Sequence, residues 1–559
     1  MSSCDLGVEE TAVALEPLLS DMWSDEHGLT SPSVYETARV VRLAPWLTGH
    51  AQRVRFLVDS QRPDGCWGGN DGYGLVPTLS ATEALLSGVL CRRRSPCRPE
   101  ESPYGPEVVR AADRGLRVLF SWLNTGKKVR LPDTVAVELV VPALVEEINV
   151  HLGRLDTQPS VGLDRWRGTA RLAVPDGAHA QTLERLRAMV RGGHGLPDKL
   201  WHTLEIIGAP VRRAGFVRPV NGVVGCSPAS TAAWLGEPPV GADDACLAYL
   251  REVQARHAGP VPVAAPVTLF ERAWVLTALT TAGVVVSLPE ASVAALHDAF
   301  GEFGAAVGPG LMPDADDTAT ALYALAQLGS PRSPDCLFEY RTGRHFSCFP
   351  AERTPSVSTN AHVLQAFGAC LAPWSDKRSR YLAVMSDLTE WLVDCQESDG
   401  SWRDKWHASP YYATSCCVAA LAGHGGVMVQ SALREAMAWV LGTQRPDGSW
   451  GRWTGTYEET AYAMQILLRA CGPARSDAVK RAVARGGLFL LRPGADREHP
   501  PLWHDKDLYT PIRIVRAEGL AALRLARGLL PGQLRQPRTP QQRVPDPRRD
   551  TAPRRDTAR

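Results

Sequence analysis

The stretch "QRPDGSWGRW", residues 444–453, closes one amphipathic run, "LREAMAWVLGTQ", and precedes another, "YEETAYAMQILLRA". Its Asp-Gly pair is a turn signal. The phrase recurs as "QRPDGCWGG" from Gln61 and as "QESDGSW" from Gln396, and each time Gln precedes Trp by six residues. The other two copies also close helical runs, "HAQRVRFLVDSQ" and "DLTEWLVDCQ", and lead into "TLSATEALLSGVL" and "YYATSCCVAALAG". The unit is therefore helix, turn, helix. One such hairpin cannot bury its apolar face alone, so copies stack. The Trp is expected to pack over the turn, and the Gln to bond backbone, stapling neighbouring hairpins. Elsewhere strand-like alternation is scarce and Ala- and Leu-rich periodic runs dominate. The expected fold is all-α, with two α/α barrels because copies of the phrase lie near both ends.

The bulk composition narrows the function. A length of 559 residues favours two or three domains. Lys+Arg 61 against Asp+Glu 60 leaves a net charge of +1, which gives no electrostatic case for nucleic acid or an anionic membrane surface. The N-terminus "MSSCDLGVEETAVALEPLL" lacks the basic-then-apolar order of a signal peptide. The longest uncharged apolar run, "AWVLTALTTAGVVVSL" (273–288), is too short and Thr-rich for a membrane span, so no integral membrane segment is expected. Thirteen scattered cysteines without a C-x-x-C fit free thiols and a cytoplasmic protein. Residues 531–559, rich in Pro, Arg, Gln and Asp, are expected to be a disordered tail.

One chemical motif stands out in "LMPDADDTATALYALAQLG" (311–329): Asp314, Asp316 and Asp317 crowd into one turn before a helix. Asp and Thr there are good N-caps, and the helix dipole favours a carboxylate. A catalytic reading is compatible with that one. If Asp317 is the ionised cap, Asp316 sits beside fixed negative charge in an apolar surrounding. Like charge and desolvation both hold protons on carboxyl groups, and the cluster titrates as a unit. The motif then reads as a device for keeping one acid protonated.

In its segments and their order, the chain resembles the class II terpene cyclases, relatives of squalene–hopene cyclase and of plant and bacterial copalyl diphosphate synthases. The resemblance runs from about residue 30 to 525 through "SVYETARVVRL", "VELVVPALVEE", "LWHTLEIIG", "CSPASTAAWL", "PVTLFERAWVLTAL", "DADDTA", "STNAHVLQAFG" and "DKWHASPYYAT". It implies two α/α barrels called β and γ: β from residues 1–30 plus 295–530, carrying the acid, and γ inserted at 31–294. It also implies protonation of a carbon–carbon double bond. That step is hard, and it needs a dry site, close contact and stabilised positive charge. The resemblance assigns the proton to the middle aspartate, Asp316, and gives His362 of "STNAH" the role of its hydrogen-bond partner. A satisfied core histidine is the plainer alternative for His362.

Aromatic faces stabilise cations. The expected substrate-binding aromatics are Trp406, Tyr411 and Tyr412 of "DKWHASPYY", with Trp274 and Trp201 behind them. Trp450 and Trp453 read as structural. For a diphosphate held with Mg2+, the resemblance points to Asp133 and Glu138 as metal ligands. Lys199, with Arg185, Arg187 and Arg191, forms a basic stretch nearby, which an exposed helix face explains nearly as well.

Plant members hold the water that takes the final proton with a His and an Asn. His202 matches the His, but an apolar residue near Val263 stands at the Asn position, which implies a different terminating base. The ionising signatures of class I enzymes are missing. Asp243-Asp244 is followed by Ala-Cys-Leu, and Asn70-Asp71 lacks the required Ser. The expected activity is cyclisation of geranylgeranyl diphosphate with the diphosphate retained, a separate class I synthase acting downstream. Farnesyl diphosphate or, further off, squalene are the alternative substrates. A protein prenyltransferase β subunit would need a zinc set with Asp-x-Cys, and Asp64-Gly65-Cys66, which has that spacing, lies inside a repeat turn.

Overall fold

The computed structural model describes residues 6–91, 103–126, 129–168, 171–238, 244–350, 352, 354–472, 475–497 and 499–530. The expected disordered tail, 531–559, lies outside them. Helices dominate. Among the described residues the strands are short hairpins, at 300–305, 341–346 and 503–509.

Helices Thr268–Thr281, Ala315–Gln327, Val357–Ala369, Pro410–His424, Tyr457–Ala470 and Ile512–Ala526 each pack on the next, and the last returns to the first. They form the inner ring of one barrel. Their composition explains the position: in Ala315–Gln327 every residue from Ala315 to Leu325 is buried, mostly small or apolar side chains that let helices approach on all sides. Arg378–Asp394, Gln430–Gly442 and Asp477–Leu490 bury one face each and form the outer layer, which Leu6–Ser24 joins. A second ring runs through Val34–Leu43, Leu75–Cys91, Val137–Thr157, the 3-10 segment Asp198–Ile207 and Pro228–Leu235, and closes on Val34–Leu43. The core of the second ring draws on residues from Tyr35 to Ala233. That of the first takes Leu18, Met22, Cys226 and residues from Val263 onward.

The expected boundary at 294/295 is therefore displaced. Thr268–Thr281, placed by sequence with the 31–294 barrel, completes the ring that carries the aspartates. Its apolar surface suits an inner helix of either barrel, so chain order alone misplaces it. The strand-like crossings Thr30 with Pro511 and Pro32 with Pro262 bring the two connecting segments between barrels side by side.

The Gln–Trp phrase does what its spacing predicts. Trp67, Trp402 and Trp450 are fully buried, and each indole donates to a carbonyl of the preceding helix: Leu57 at 2.6 Å, Leu392 at 2.7 Å and Val440 at 2.8 Å. Each Gln donates to its own turn and across to the next outer helix. Gln396 Nε2 reaches Gly400 O and Ala432 O, both at 2.9 Å, and Gln61 and Gln444 repeat the pattern at Ala111 and Ala482.

Candidate active site

A cavity of about 450 Å³ lies between the barrels and is lined from both. One barrel contributes Asp133, Glu138, Lys199 and His202; the other contributes the three aspartates, Trp274, Trp406, Tyr412, Trp503 and Asp505.

The aspartates occupy a helix start that is buried, not solvated. Asp314 is the N-cap: its extended backbone (φ −138°, ψ 165°) aims Oδ1 at the N–H groups of Asp316 (2.9 Å) and Asp317 (2.8 Å). This reverses the expected assignment of the ionised cap to Asp317. Asp317 lies within the first helical turn, where its side chain cannot turn back on the leading N–H groups, and its Oδ1 is buried without a partner. Burial, then the neighbouring Asp314, pushes the Asp317 carboxyl well above the usual carboxylate range, so it keeps its proton. Burial also lifts Asp314, to about 7, with the backbone donor at Asp317 pulling the other way.

Asp316 and His362 meet as expected: His362 Nδ1 is 2.7 Å from Asp316 Oδ1. The imidazole comes from the neighbouring inner helix Val357–Ala369, whose start is capped by Ser356. Burial opposes a charge on His362, but the Asp316 carboxylate outweighs it and raises the imidazolium to about 10. Asp316 Oδ2 takes no hydrogen bond from the described residues, and the side chain lines the cavity.

Aromatic rings wall the cavity beside this acid. Trp274 stands edge-on to His362 at 5.4 Å, tilts against Phe270 at 4.6 Å, and donates its indole N–H to the Tyr412 hydroxyl at 3.2 Å. Trp503, which sequence reasoning did not single out, lies 4.7 Å from Tyr412. Tyr411 is a correction. It is buried against Trp439, 4.5 Å between rings, and takes no part in lining the cavity. Consecutive helical residues point about 100° apart, so only one of the adjacent tyrosines can face inward, and that one is Tyr412. Trp201 likewise packs on the core of the second ring. Trp406 does line the cavity, with the Lys405 ammonium 4.9 Å above its ring. Trp450 and Trp453 are structural, Trp453 donating to Asp71 at 2.7 Å.

The charged wall is partly as expected. Asp133, Glu138 and Lys199 share the cavity, whereas Arg185, Arg187 and Arg191 do not; Arg187 is taken by Glu146 and Glu184. Lys405, missed because it lies in a short charged run, lines the cavity and pairs with Glu352. Among the described residues no three His, Cys, Asp or Glu side chains converge as a protein-only metal cage. The donor chemistry nonetheless fits Mg2+, which commonly takes one or two carboxylates and fills its other positions with phosphate oxygens and water.

Sequence reasoning also missed the hairpin at Trp503–Tyr509. Its "HDKD" run reads as solvated charge, yet Lys506 is fully buried. Lys506 Nζ bonds His202 O (2.7 Å), Ser227 Oγ (2.9 Å) and Glu205 (3.3 Å), and pairs with Glu36, all on the other barrel. Asp505 meets His202 at 2.8 Å, and Asp507 holds Ser33 at 2.8 Å.

Comparison with known proteins agrees with this geometry. Residues 353–484 match the squalene-hopene cyclase C-terminal domain. The chain is 48% identical to the ent-copalyl diphosphate synthase of Streptomyces sp. (strain KO-3988), over 91% of this chain and 95% of that protein. It is 43% identical to the labda-7,13-dienyl diphosphate synthase of Streptomyces clavuligerus, over 92% and 93%. The solved ent-copalyl diphosphate synthase of Streptomyces platensis superposes with a TM-score of 0.86 at 45% identity, covering 93% of this chain and 99% of that one. Two fused helical barrels, a buried aspartate–histidine pair facing an aromatic cavity, and these full-length likenesses place the chain in one family: it belongs to the class II terpene cyclases, among the diterpene diphosphate cyclases.

Proposed function

We propose that this enzyme cyclises geranylgeranyl diphosphate to a bicyclic diphosphate of labdane, halimane or clerodane type, leaving the diphosphate in place. The observation that carries the reading is one cavity holding both halves of such a substrate. An acid faces a wall of aromatic rings, and Asp133, Glu138, Lys199 and Lys405 supply a polar wall. With Oδ1 held by the His362 imidazolium, Asp316 takes up a proton on Oδ2 from solvent before the substrate closes the cavity, and then transfers that proton to the terminal alkene. Asp314 and Asp317 keep protons in the cluster and hold the helix start. Trp274, Phe270 and Trp503 exclude water and stabilise positive charge as the rings form. Asp133 and Glu138 would hold Mg2+, which neutralises the diphosphate when bound. The charged wall favours a diphosphate over squalene, which carries no charge.

Because the diphosphate survives, a class I synthase that ionises it would act next. The enzyme would work in the cytoplasm; among the described residues no helix is long and apolar enough to cross a membrane. The test is incubation with geranylgeranyl or farnesyl diphosphate and Mg2+. A cyclic product should enter organic solvent only after phosphatase treatment, and form faster from the C20 substrate. Direct release of a hydrocarbon would refute retention of the diphosphate.

A further inference from the structure

A cyclisation that begins with a proton from Asp316 ends with a proton leaving carbon. Positive charge moves away from the acid as the rings close, toward the half of the substrate that bears the diphosphate. In a labdane-type closure, the group that takes the last proton must therefore line the same cavity on the side of Asp133 and Glu138. It also needs an unoccupied lone pair open to the cavity.

Three neighbouring groups are candidates: His202, His504 and Asp505. His202 lines the cavity, but both ring nitrogens already face acceptors: Nδ1 is 2.6 Å from Gly225 O and Nε2 is 2.8 Å from Asp505 Oδ1. Such a ring is an imidazolium with no lone pair to offer. Burial works against that charge, but the Asp505 carboxylate holds the His202 pKa above its ordinary value. His504 has the opposite defect. Its Nδ1 sits 2.6 Å from Lys405 O, and its Nε2 is buried, closed off from the cavity. Asp505 meets every requirement. Oδ1 accepts from His202 Nε2 and from the Lys506 backbone N–H at 2.6 Å, which fixes the carboxylate plane. Oδ2 takes no hydrogen bond from the described residues, and the side chain remains 14% exposed where it lines the cavity. Its carbonyl accepts from Val135 N–H at 3.0 Å, which ties Asp505 to the segment carrying Asp133 and Glu138.

We infer that Asp505 is the terminating base of the cyclisation and that His202 is its positioning residue, an inference that rests on the function proposed above. Asp505 Oδ2 takes a proton from a carbon next to the final cationic centre. The C–H electron pair becomes the new π bond, and the cation is neutralised. Asp316 has lost one proton and Asp505 has gained one, so substrate and product are isomers. A carboxylate kept ionised by the His202 imidazolium is a weak base, but a proton beside a carbocation needs only a weak base in the right place. Its negative charge also draws the final cation to this wall.

The experiment compares the products of wild type, Asp505→Asn and Asp505→Glu after phosphatase treatment, beside substrate consumption and thermal melting. In Asp505→Asn, formation of the wild-type alkene should fall about 100-fold or more. Consumption should fall less than about tenfold, because the cation still forms, and the missing product should reappear as hydroxylated or isomeric bicyclic diphosphates. Asp505→Glu keeps the partner of His202 but moves the oxygen, so it should shift the alkene position even if the Asn variant fails to fold. A merely structural Asp505 would lower melting and consumption without changing the product. An unchanged product from every variant that still consumes substrate overturns the inference. A wild type that makes no cyclic diphosphate overturns the function it rests on.

Discussion

Asp314, and not Asp317, caps the acid-bearing helix. The residue just before the helix caps it, and the residue inside the first turn keeps a proton. Asp316 stands between them with His362, and its substitution separates chemistry from stability. Asp316→Asn keeps the size of the side chain and removes the transferable proton, so turnover should fall by about 100- to 10,000-fold. Binding of an unreactive substrate analogue should survive. The pair also sets a pH dependence of stability. His362 holds its proton up to about 10 in the fold, against 6.5 ordinarily, so its contribution is complete below 6.5 and is lost as pH rises through 10. Asp314, lifted from 3.8 to about 7, adds a separate loss between those values. Wild-type melting temperature should therefore decline from pH 6.5 to 10. Asp316→Asn removes the carboxylate that holds the imidazolium and should flatten that decline. Parallel slopes in the two proteins would refute the ion pair.

At the scale of elements, the Gln–Trp hairpin repeats as a physical unit. Gly400 shows why its turn tolerates so little: φ is +92°, and a Cβ would lie 2.6 Å from Glu435 O on the next helix. Trp402 fills the space beneath the turn and is fully buried. Trp402→Ala should cost about 3–5 kcal/mol, read as a lower denaturant midpoint, while the surviving folded enzyme makes the same product. A changed product would show that this tryptophan reaches the substrate. The repeat was legible because its whole logic is local: a helix end, a turn and a bond to the next hairpin recur at fixed spacing. Tyr411 and Tyr412 show the limit of the same reading. Both are aromatic, adjacent and helical, and only the helix phase relative to the cavity separates the residue packed on Trp439 from the one facing Trp274.

Across the whole molecule, the cavity depends on how the barrels are joined, and Lys506 is buried at that joint with Glu36 and Glu205. Lys506→Met would leave two carboxylates without their cation, a loss of about 3–5 kcal/mol. Turnover per folded molecule should also drop, because Asp505 and His202 lose their register. Full activity in a stable Lys506→Met protein would show that the joint is not needed to shape the site. The amino-acid sequence by itself determined the helical class, the repeat, and the acid turn with its histidine. Each is carried by local pattern or by an ordered set of segments. Tertiary structure alone decided which aspartate caps the helix, which tyrosine faces the cavity, that Thr268–Thr281 completes the acid-bearing barrel, and that the charged hairpin at 503–509 is buried. The burial of that hairpin and the closure of the ring by Thr268–Thr281 on Ile512–Ala526 depend on contacts between residues hundreds of positions apart. A short charged run looks the same in sequence whether its partner is water or, as for Lys506, a pair of glutamates on the other barrel.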